Sequence, residues 1–317
     1  MENLIRVAGQ VAVLFILIGC GVLSRRFHLI SDEGSKGMTN ILIKIVTPCL
    51  VIDAFQRPFN SALLHQLFFA FGVAIAIHVA LIALSYLVIR RGGRLQLPVY
   101  RTAVVFSNAG FMGIPLEQAI LGDEGVFFGV AYVAVFNIFM FTWGEGHMRC
   151  SACVQTNESG LGQVLRTGLN PGTIGILIGL PLFLLSYLLP PLVAEPVGMM
   201  ASLNTPLAML VIGYYLGGAN LKAFLTNRGA YFASFLRLVV APLALIGVFA
   251  LMKDLIDPVM GIALVTAASA PVAAMTAMFA VRHGCDVPLA VGLVSGTILL
   301  SVITMPPIIA LAMSVLQ

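Results

Sequence analysis

Charge is the scarcest property of this sequence. Only 9% of its 317 residues are Asp, Glu, Lys or Arg, whereas an average soluble domain carries about 25% charged residues. Hydrophobic residues make up 60% of the chain, and it has one Trp. A sequence with so little charge is not that of a soluble domain, because its apolar surface needs lipid around it. We therefore expect a polytopic membrane protein with lipid, and no nucleic acid, as a partner.

Cysteine is also sparse, and catalytic motifs are missing. Cys150 and Cys153 form a lone C-x-x-C without the second ligand pair of a zinc site, so we interpret them as an incidental reduced pair, with metal or redox function as the alternative. Cys20, Cys49 and Cys285 are interpreted as small packing residues. The sequence has no H-E-x-x-H, no G-x-G-D and no evident nucleophile with a base. We expect no enzyme, no cofactor and no metal site.

Long apolar runs, by contrast, are abundant. A helix that crosses a bilayer needs about 20 apolar residues. Ten runs of this kind occur, at about residues 5–24, 37–56, 63–90, 98–119, 125–148, 170–191, 197–217, 229–252, 258–281 and 287–315. Asn170 and Asp257 each precede a proline, which predicts a capped helix start at both places.

Basic residues between the runs predict how the chain is oriented, because Lys and Arg favour cytosolic loops. Alternate loops hold twelve Lys and Arg residues on one side and three on the other. We therefore expect a multi-pass protein of the cell (inner) membrane with both termini on the extracytoplasmic side.

The two halves of the sequence resemble each other. The tetrapeptide ILIG occurs at residues 16–19 and 176–179, and a Thr-Pro pair occurs at 47–48 and 205–206. Each half has five runs, so the second half enters the membrane from the opposite side and the repeats are inverted. The predicted fold is all-α, with ten transmembrane helices in two inverted repeats. The predicted units are a first repeat, a cytosolic connector and a second repeat, at residues 1–148, 149–169 and 170–317.

The fourth and ninth runs each contain residues that interrupt a helix. The fourth contains SNAGFMGIP at residues 107–115, and the ninth contains Pro271. Irregular backbone at mid-membrane survives only where it is buried in protein or lines a cavity, so breaks in matching helices of two repeats predict a transport site. A simple proline kink is the alternative for either run alone. We expect unwinding at residues 107–111 and 268–270, with Pro115 and Pro271 in the first turns of the following half-helices, whose positive N-terminal ends favour an anion.

Several of these segments resemble one known family. SNAGFMGIPL at residues 107–116, NPGTIGILIGL at 170–180 and DVPLAVGLVSGTILLSVITMPPI at 286–308, with the ten-run pattern, resemble the auxin efflux carriers over essentially the whole chain. The resemblance implies a scaffold domain of helices 1, 2, 6 and 7 and a transport domain of helices 3 to 5 and 8 to 10, with helices 4 and 9 crossing. It implies elevator-type transport of a small organic anion, such as a mono- or dicarboxylate or an auxin-like acid. We also expect a homodimer.

Carried over by position, the resemblance implies a substrate pocket at the two interruptions. Its expected lining is Ser107, Asn108, Ala109, Gly110, Asn137, Val51, Ser269, Ala270 and Pro271. Ser107 stands where the plant carriers of this family have a proline, which leaves Asn108 to specify more of the site.

Ionisable residues inside the predicted helices are candidates for coupling or gating, because burying a charge is costly and usually functional. They are Lys44, Asp53, Glu117 and Arg237. Lys44 could equally snorkel to the interface. Glu117 could stabilise the start of a half-helix or titrate during transport, and Arg237 could hold an anion or pair with a carboxylate. A proton, sodium or no coupling ion stays open, as do a sodium-coupled symporter of the bile-acid type and an anion channel.

Overall fold

The computed structural model describes residues 2–152, 171–219 and 221–317. Regular structure in these ranges is helical, apart from one isolated β-bridge. In chain order the α-helices are α1 (Glu2–Arg26), α2 (Asp32–Ile41), α3 (Thr47–Ala54), α4 (Ser61–Val88), α5 (Leu97–Val105), α6 (Ile114–Leu121), α7 (Asp123–Phe139), α8 (Glu145–Ala152), α9 (Pro171–Leu184), α10 (Pro191–Ser202), α11 (Asn204–Gly217), α12 (Lys222–Leu225), α13 (Arg228–Phe235), α14 (Ala241–Leu251), α15 (Pro258–Ser269), α16 (Ala274–His283) and α17 (Val287–Leu316).

Seven helical stretches among the described residues are long and apolar enough to cross a membrane. They are Val7–Arg26, Asp32–Ala54, Ser61–Val88, Asp123–Arg149, Pro191–Gly217, Arg228–Leu251 and Val287–Leu316. Shorter apolar helices occupy Pro171–Leu184 and Pro258–Ser269. The protein is therefore a polytopic helical membrane protein. The fourth, sixth and ninth predicted runs are not among the seven, so a total of ten spans remains a prediction.

One predicted helix start is confirmed, and two predictions involve residues outside the described ranges. The Asp257 carboxylate accepts a hydrogen bond from the Met260 N–H at 3.0 Å, as expected of a residue that caps a helix beginning with proline. Asn170 and Cys153 fall in the part of the chain that the structure does not describe.

Three of the helices contain a π-helical turn just ahead of a proline. These turns are Leu42–Val46, Ala109–Gly113 and Leu236–Val240. A proline has no N–H to donate, and its ring collides with the carbonyl four residues earlier, which is the Lys44 carbonyl in the case of Pro48. The wider turn relieves this collision because the Thr47 N–H donates to the Leu42 carbonyl, five residues back. Each helix can thus continue through its proline.

Helices α1 and α11 approach each other backbone to backbone. A Cβ atom added to Gly213 would overlap the carbonyl of Ile18 and lie 2.8 Å from the Cα of Gly21. A Cβ atom added to Gly21 would likewise overlap the Leu210 carbonyl. Small residues permit such close packing between membrane helices, where van der Waals contact replaces the hydrophobic driving force.

Buried apolar side chains form two clusters, and the interrupted helices lie where the clusters meet. Phe106 and Val272 belong to the smaller cluster. Ala109 and Ala270, a few residues away along the same two segments, belong to the larger one. The irregular backbone is therefore enclosed by protein on both sides, as irregular backbone in a membrane must be.

Candidate functional site

The first interruption is shorter than predicted. Helix α5 ends at Val105, residues 106–108 are not helical, and Ala109–Gly113 is a π-helical turn. The prediction of unwinding through Phe111 was wrong there, because the wider turn ahead of Pro115 keeps the chain helical. Pro115 does lie in the first turn of α6, as predicted.

The second interruption lies later in the chain than predicted. Helix α15 continues to Ser269, and the non-helical residues are 270–273. Pro271 therefore lies inside the break, and the prediction that it starts the next half-helix was wrong. The physical reason is steric: a residue before proline is driven out of the helical region, and Ala270 has φ −61° and ψ 149°.

The two breaks pair with each other where the helices cross. Ser107 and Val272 form an antiparallel bridge. The Asn108 N–H donates to the Pro271 carbonyl at 2.6 Å, and the Ala273 N–H donates to the Phe106 carbonyl at 3.0 Å. Backbone groups released from the two helices thus satisfy one another without water, which a site inside a membrane requires. We call residues 106–108 and 270–273 the crossing.

Polar side chains on neighbouring helices hold the crossing. The Ser107 hydroxyl donates to the Tyr132 hydroxyl of α7 at 3.3 Å. The Val272 N–H donates to the Thr297 hydroxyl of α17 at 3.1 Å. Tyr132 and Thr297 were not predicted, since nothing local in their segments distinguishes them from other residues of apolar helices.

Asn108 brings an unsatisfied donor to the crossing. Its side chain is 5% exposed, and its Nδ2 has no hydrogen-bond partner among the described residues. Buried polar groups are nearly always hydrogen-bonded, so an exception calls for an explanation such as a ligand. The Thr276 hydroxyl, in the first turn of α16, is also buried and has no partner within the ranges that the structure describes. Sequence reasoning selected Asn108 and missed Thr276.

Arg237 joins the ends of the two interrupted helices. It is fully buried, and its Nη1 donates to the carbonyls of Val104 and Val105, each at 3.1 Å. Its Nη2 donates to the carbonyl of Ala268. The last carbonyls of a helix lack partners within it and carry partial negative charge. One guanidinium therefore satisfies carbonyls at the C-terminal ends of both α5 and α15.

The sequence allowed two interpretations of Arg237, pairing with a carboxylate or holding an anion, and the second of these stays a prediction. No ion pair between it and a carboxylate occurs among the described residues, and its two terminal nitrogens already bind carbonyls. The Arg237 guanidinium neutralises the negative C-terminal ends of α5 and α15. Those ends therefore do not offset the positive N-terminal ends of the helices that follow the crossing. The crossing therefore lies beside the positive N-terminal ends of two helices.

Glu117 lies one turn into α6 and is fully buried. Neither of its carboxylate oxygens has a hydrogen-bond partner within residues 2–152, 171–219 and 221–317. Gly129 of α7 leaves the space it occupies: a Cβ atom there would overlap Oε2 and lie 2.6 Å from Cδ. Burying an ionised carboxylate without a partner is costly, so Glu117 is a candidate for binding a proton.

The close approach of the Glu117 carboxylate to Gly129 predicts that a side chain at position 129 lowers the stability of the fold. We expect Gly129→Ala to lower the free energy of unfolding by about 1–3 kcal/mol, since overpacking a rigid core has that cost. Gly247→Ala is the matched control, because a Cβ atom there has nothing within 4 Å. Thermal unfolding in detergent measures both. Adding Glu117→Ala to the Gly129→Ala variant should recover much of the loss, and equal stability of the two single variants would contradict the packing.

The other predicted lining residues occupy varied positions. Ala109 and Ala270 are buried at the crossing, and Gly110 has open space where a Cβ atom would be. Asn137 is half-buried in α7. The Ser269 hydroxyl donates to the Thr266 carbonyl of its own helix at 2.9 Å.

Three predicted residues lie on the stretch Asp32–Ala54, and two of them lie close to other helices. Val51 is buried against α9, where its Cβ lies 2.9 Å from the position of a Cβ on Gly175. Asp53 is half-buried, with its Oδ1 3.6 Å from the Cβ position of Gly198 on α10. Lys44 is exposed in its π-helical turn.

The fold and the crossing define a class: a polytopic helical membrane protein with two paired helix breaks. A family model described as "Membrane transport protein" matches residues 6–309, and the chain belongs to that family. The match confirms the resemblance to the auxin efflux carriers. It is a family of transporters and not of enzymes. A comparison with curated proteins finds no match.

Proposed function

We propose that this protein is a secondary carrier of a small organic anion and that the crossing is its binding site. The observation that carries the proposal is the buried amide donor of Asn108, which has no hydrogen-bond partner among the described residues. A carboxylate supplies what that site lacks, because it accepts hydrogen bonds and carries negative charge. The proposed substrate class is a mono- or dicarboxylate or an auxin-like acid.

The proposed movement is of the elevator type, with a transport domain sliding against a scaffold in a ten-helix, inverted-repeat fold. Its support lies in the packing within each of two sets of helices, while α1 also packs on α17 across the two sets. Helices α1 and α11 touch backbone to backbone, and α3 packs tightly on α9; these belong to runs 1, 7, 2 and 6. Helix α4 packs on α7, and α15 packs on α17, which belong to the other set of runs. The crossing belongs wholly to this second set.

Further parts of the proposal concern the surroundings of the site. Gly110, Asn137, Val51, Ser269 and Pro271 complete the proposed lining. Glu117 is proposed to carry a coupled proton, supported by its burial without a hydrogen-bond partner among the described residues. Lys44 and Asp53 are proposed to act in gating. The carrier is proposed to work as a homodimer in the cell (inner) membrane, with both termini outside the cytosol.

Asn108→Ala tests the site directly. We expect the variant to fold normally and to bind carboxylates roughly 10- to 150-fold more weakly, the effect of losing a hydrogen bond to a charged group. Thermal shift in a series of mono- and dicarboxylates measures binding, because a ligand of the folded state stabilises it. Thr102→Val is the matched control, since six positions earlier it removes a buried hydroxyl that, like the Asn108 amide nitrogen, lacks a partner among the described residues.

Uptake into proteoliposomes separates the proposed carrier from other transporters. Saturable carboxylate uptake that is lost in Asn108→Ala and kept in Thr102→Val is the expected result. Normal uptake by Asn108→Ala would show that the crossing is not the binding site. Flux that does not saturate would indicate a channel, and a strict requirement for sodium would indicate a symporter of the bile-acid type.

A further inference from the structure

A cleft of about 350 Å³ is lined by helix ends and contains none of the residues of the crossing. It lies between the end of α4 and the start of α13, with Tyr100 of α5 at its base. Its polar lining is Arg90, Arg91 and Tyr100, and its apolar lining includes Val88, Gly229 and Phe232. A basic mouth and an apolar wall therefore belong to one cavity.

Hydrogen bonds and one glycine hold the base of the cleft in shape. The buried Tyr100 hydroxyl donates to the Asn227 side-chain oxygen at 2.7 Å. The same oxygen accepts from the Gly229 N–H at 2.9 Å. A Cβ atom on Gly229 would lie 2.7 Å from the Tyr100 hydroxyl, so only glycine allows the ring to lie there. The base is thus built before any ligand arrives.

The charge at the mouth is positive. Arg90 and Arg91 follow Ile89, the residue after the end of α4, and are exposed. Neither forms an ion pair with any carboxylate that the structure describes. Arg228, beside Gly229, is exposed as well. Asp286 lies on the Tyr100 side, but its carboxylate already accepts from Gln96 at 3.1 Å and from the Leu289 N–H at 3.0 Å.

The surface next to the cleft is apolar and exposed. Leu87 is 61% exposed and Phe235 is 54% exposed, with Phe232 between cleft and surface at 45%. In a membrane protein, large exposed apolar side chains on long apolar helices face lipid. The cleft therefore opens where the lipid-facing surface meets the basic end of the bundle.

We propose that this cleft binds an anionic phospholipid, with its phosphate on Arg90 and Arg91 and an acyl chain against Phe232. Guanidinium groups match phosphate oxygens in geometry and charge. Basic pockets between membrane helices bind anionic head groups. The apolar wall gives a reason for the ligand to be a lipid, since a soluble phosphate would leave it uncovered. This site is separate from the proposed substrate site and does not depend on it.

Native mass spectrometry of the full-length protein from nanodiscs tests the proposal. Nanodiscs contain phosphatidylglycerol and phosphatidylcholine in equal amounts, and the lipid retained after mild detergent extraction is counted. The wild type is expected to retain phosphatidylglycerol selectively. The double variant Arg90→Gln, Arg91→Gln should bind it roughly 30-fold more weakly, at about fivefold per arginine near a membrane surface.

Two controls keep the result interpretable. The double variant Arg26→Gln, Lys36→Gln removes two other exposed basic residues and should retain the lipid as the wild type does. Thermal unfolding in pure phosphatidylcholine checks that all variants fold. Equal retention by both double variants, or equal retention of the two lipids by the wild type, would overturn the proposal.

A third arm distinguishes a lipid from a soluble phosphate. Phe232→Ala shortens the apolar wall and leaves both arginines in place, so it should weaken retention of phosphatidylglycerol. Inorganic phosphate at millimolar concentration should neither shift the unfolding temperature of the wild type nor displace the lipid. A phosphate shift that needs Arg90 and Arg91 but not Phe232, without lipid preference, would assign the cleft to a soluble anion instead.

Discussion

Arg237→Met is expected to abolish anion uptake and to lower the free energy of unfolding by about 3 kcal/mol or more. The substitution leaves the carbonyls of Val104, Val105 and Ala268 without their donor, and each buried, unsatisfied group costs about 1–3 kcal/mol. It also removes the positive charge that offsets the C-terminal ends of two helices. Thermal unfolding and carboxylate uptake in proteoliposomes measure the two effects.

The conservative variant separates geometry from charge. Arg237→Lys keeps a positive charge, but an ammonium group lacks the planar fork that reaches both helix ends at once. We expect it to fold, with a raised KM for the anion and a smaller change in the maximal rate, because the two breaks are no longer held in register. Arg26→Met, at an exposed arginine, should change neither property. Wild-type uptake and stability in Arg237→Met would contradict the proposed role.

Gly213→Ala is expected to have the second largest effect, through the packing of α1 on α11. The added methyl group would overlap the Ile18 carbonyl and lie 2.8 Å from the Cα of Gly21. Backbone atoms cannot turn aside as a side chain can, so the helices must separate. We expect a loss of about 3 kcal/mol or more, above the usual range for overpacking, measured by thermal unfolding in detergent.

Gly19→Ala provides the matched control for this helix pair. Gly19 lies on α1 two residues from Gly21, but a Cβ atom there has nothing within 4 Å. Its replacement should leave stability unchanged or raise it slightly, because Ala is the better helix former. If both variants unfold at the same temperature, the close backbone contact between α1 and α11 is not present in the membrane protein.

Sequence-based prediction was most successful where the cause is local. Apolar composition predicts membrane helices. Proline and its neighbours predict where a helix ends, as at Pro271, or where a side chain caps the start of a helix, as at Asp257. The errors were local too. The break in the ninth run is displaced because the restriction falls on Ala270, the residue before the proline, and the break in the fourth is shortened by a π-helical turn.

The candidate site was only partly predictable. Asn108 could be selected because a polar side chain beside helix breakers in an apolar run needs a reason to be there. The lack of a hydrogen-bond partner for its amide could not be predicted, because the side chains around a donor depend on tertiary packing. Glu117 is comparable. Its sequence position suggests a carboxylate at a helix start, and only the structure shows that it is buried against Gly129 of the next helix.

The sequence by itself determined that this is a helical membrane protein of the transporter family and that two of its helices are interrupted. Those properties follow from composition, steric limits on single residues and recognisable motifs, all of which are short-range. Only the tertiary structure decided that the interruptions pair as Ser107 with Val272, and that Arg237 caps carbonyls more than 130 residues earlier in the chain. Such contacts depend on how the helices pack together, and no segment of the sequence contains that information alone.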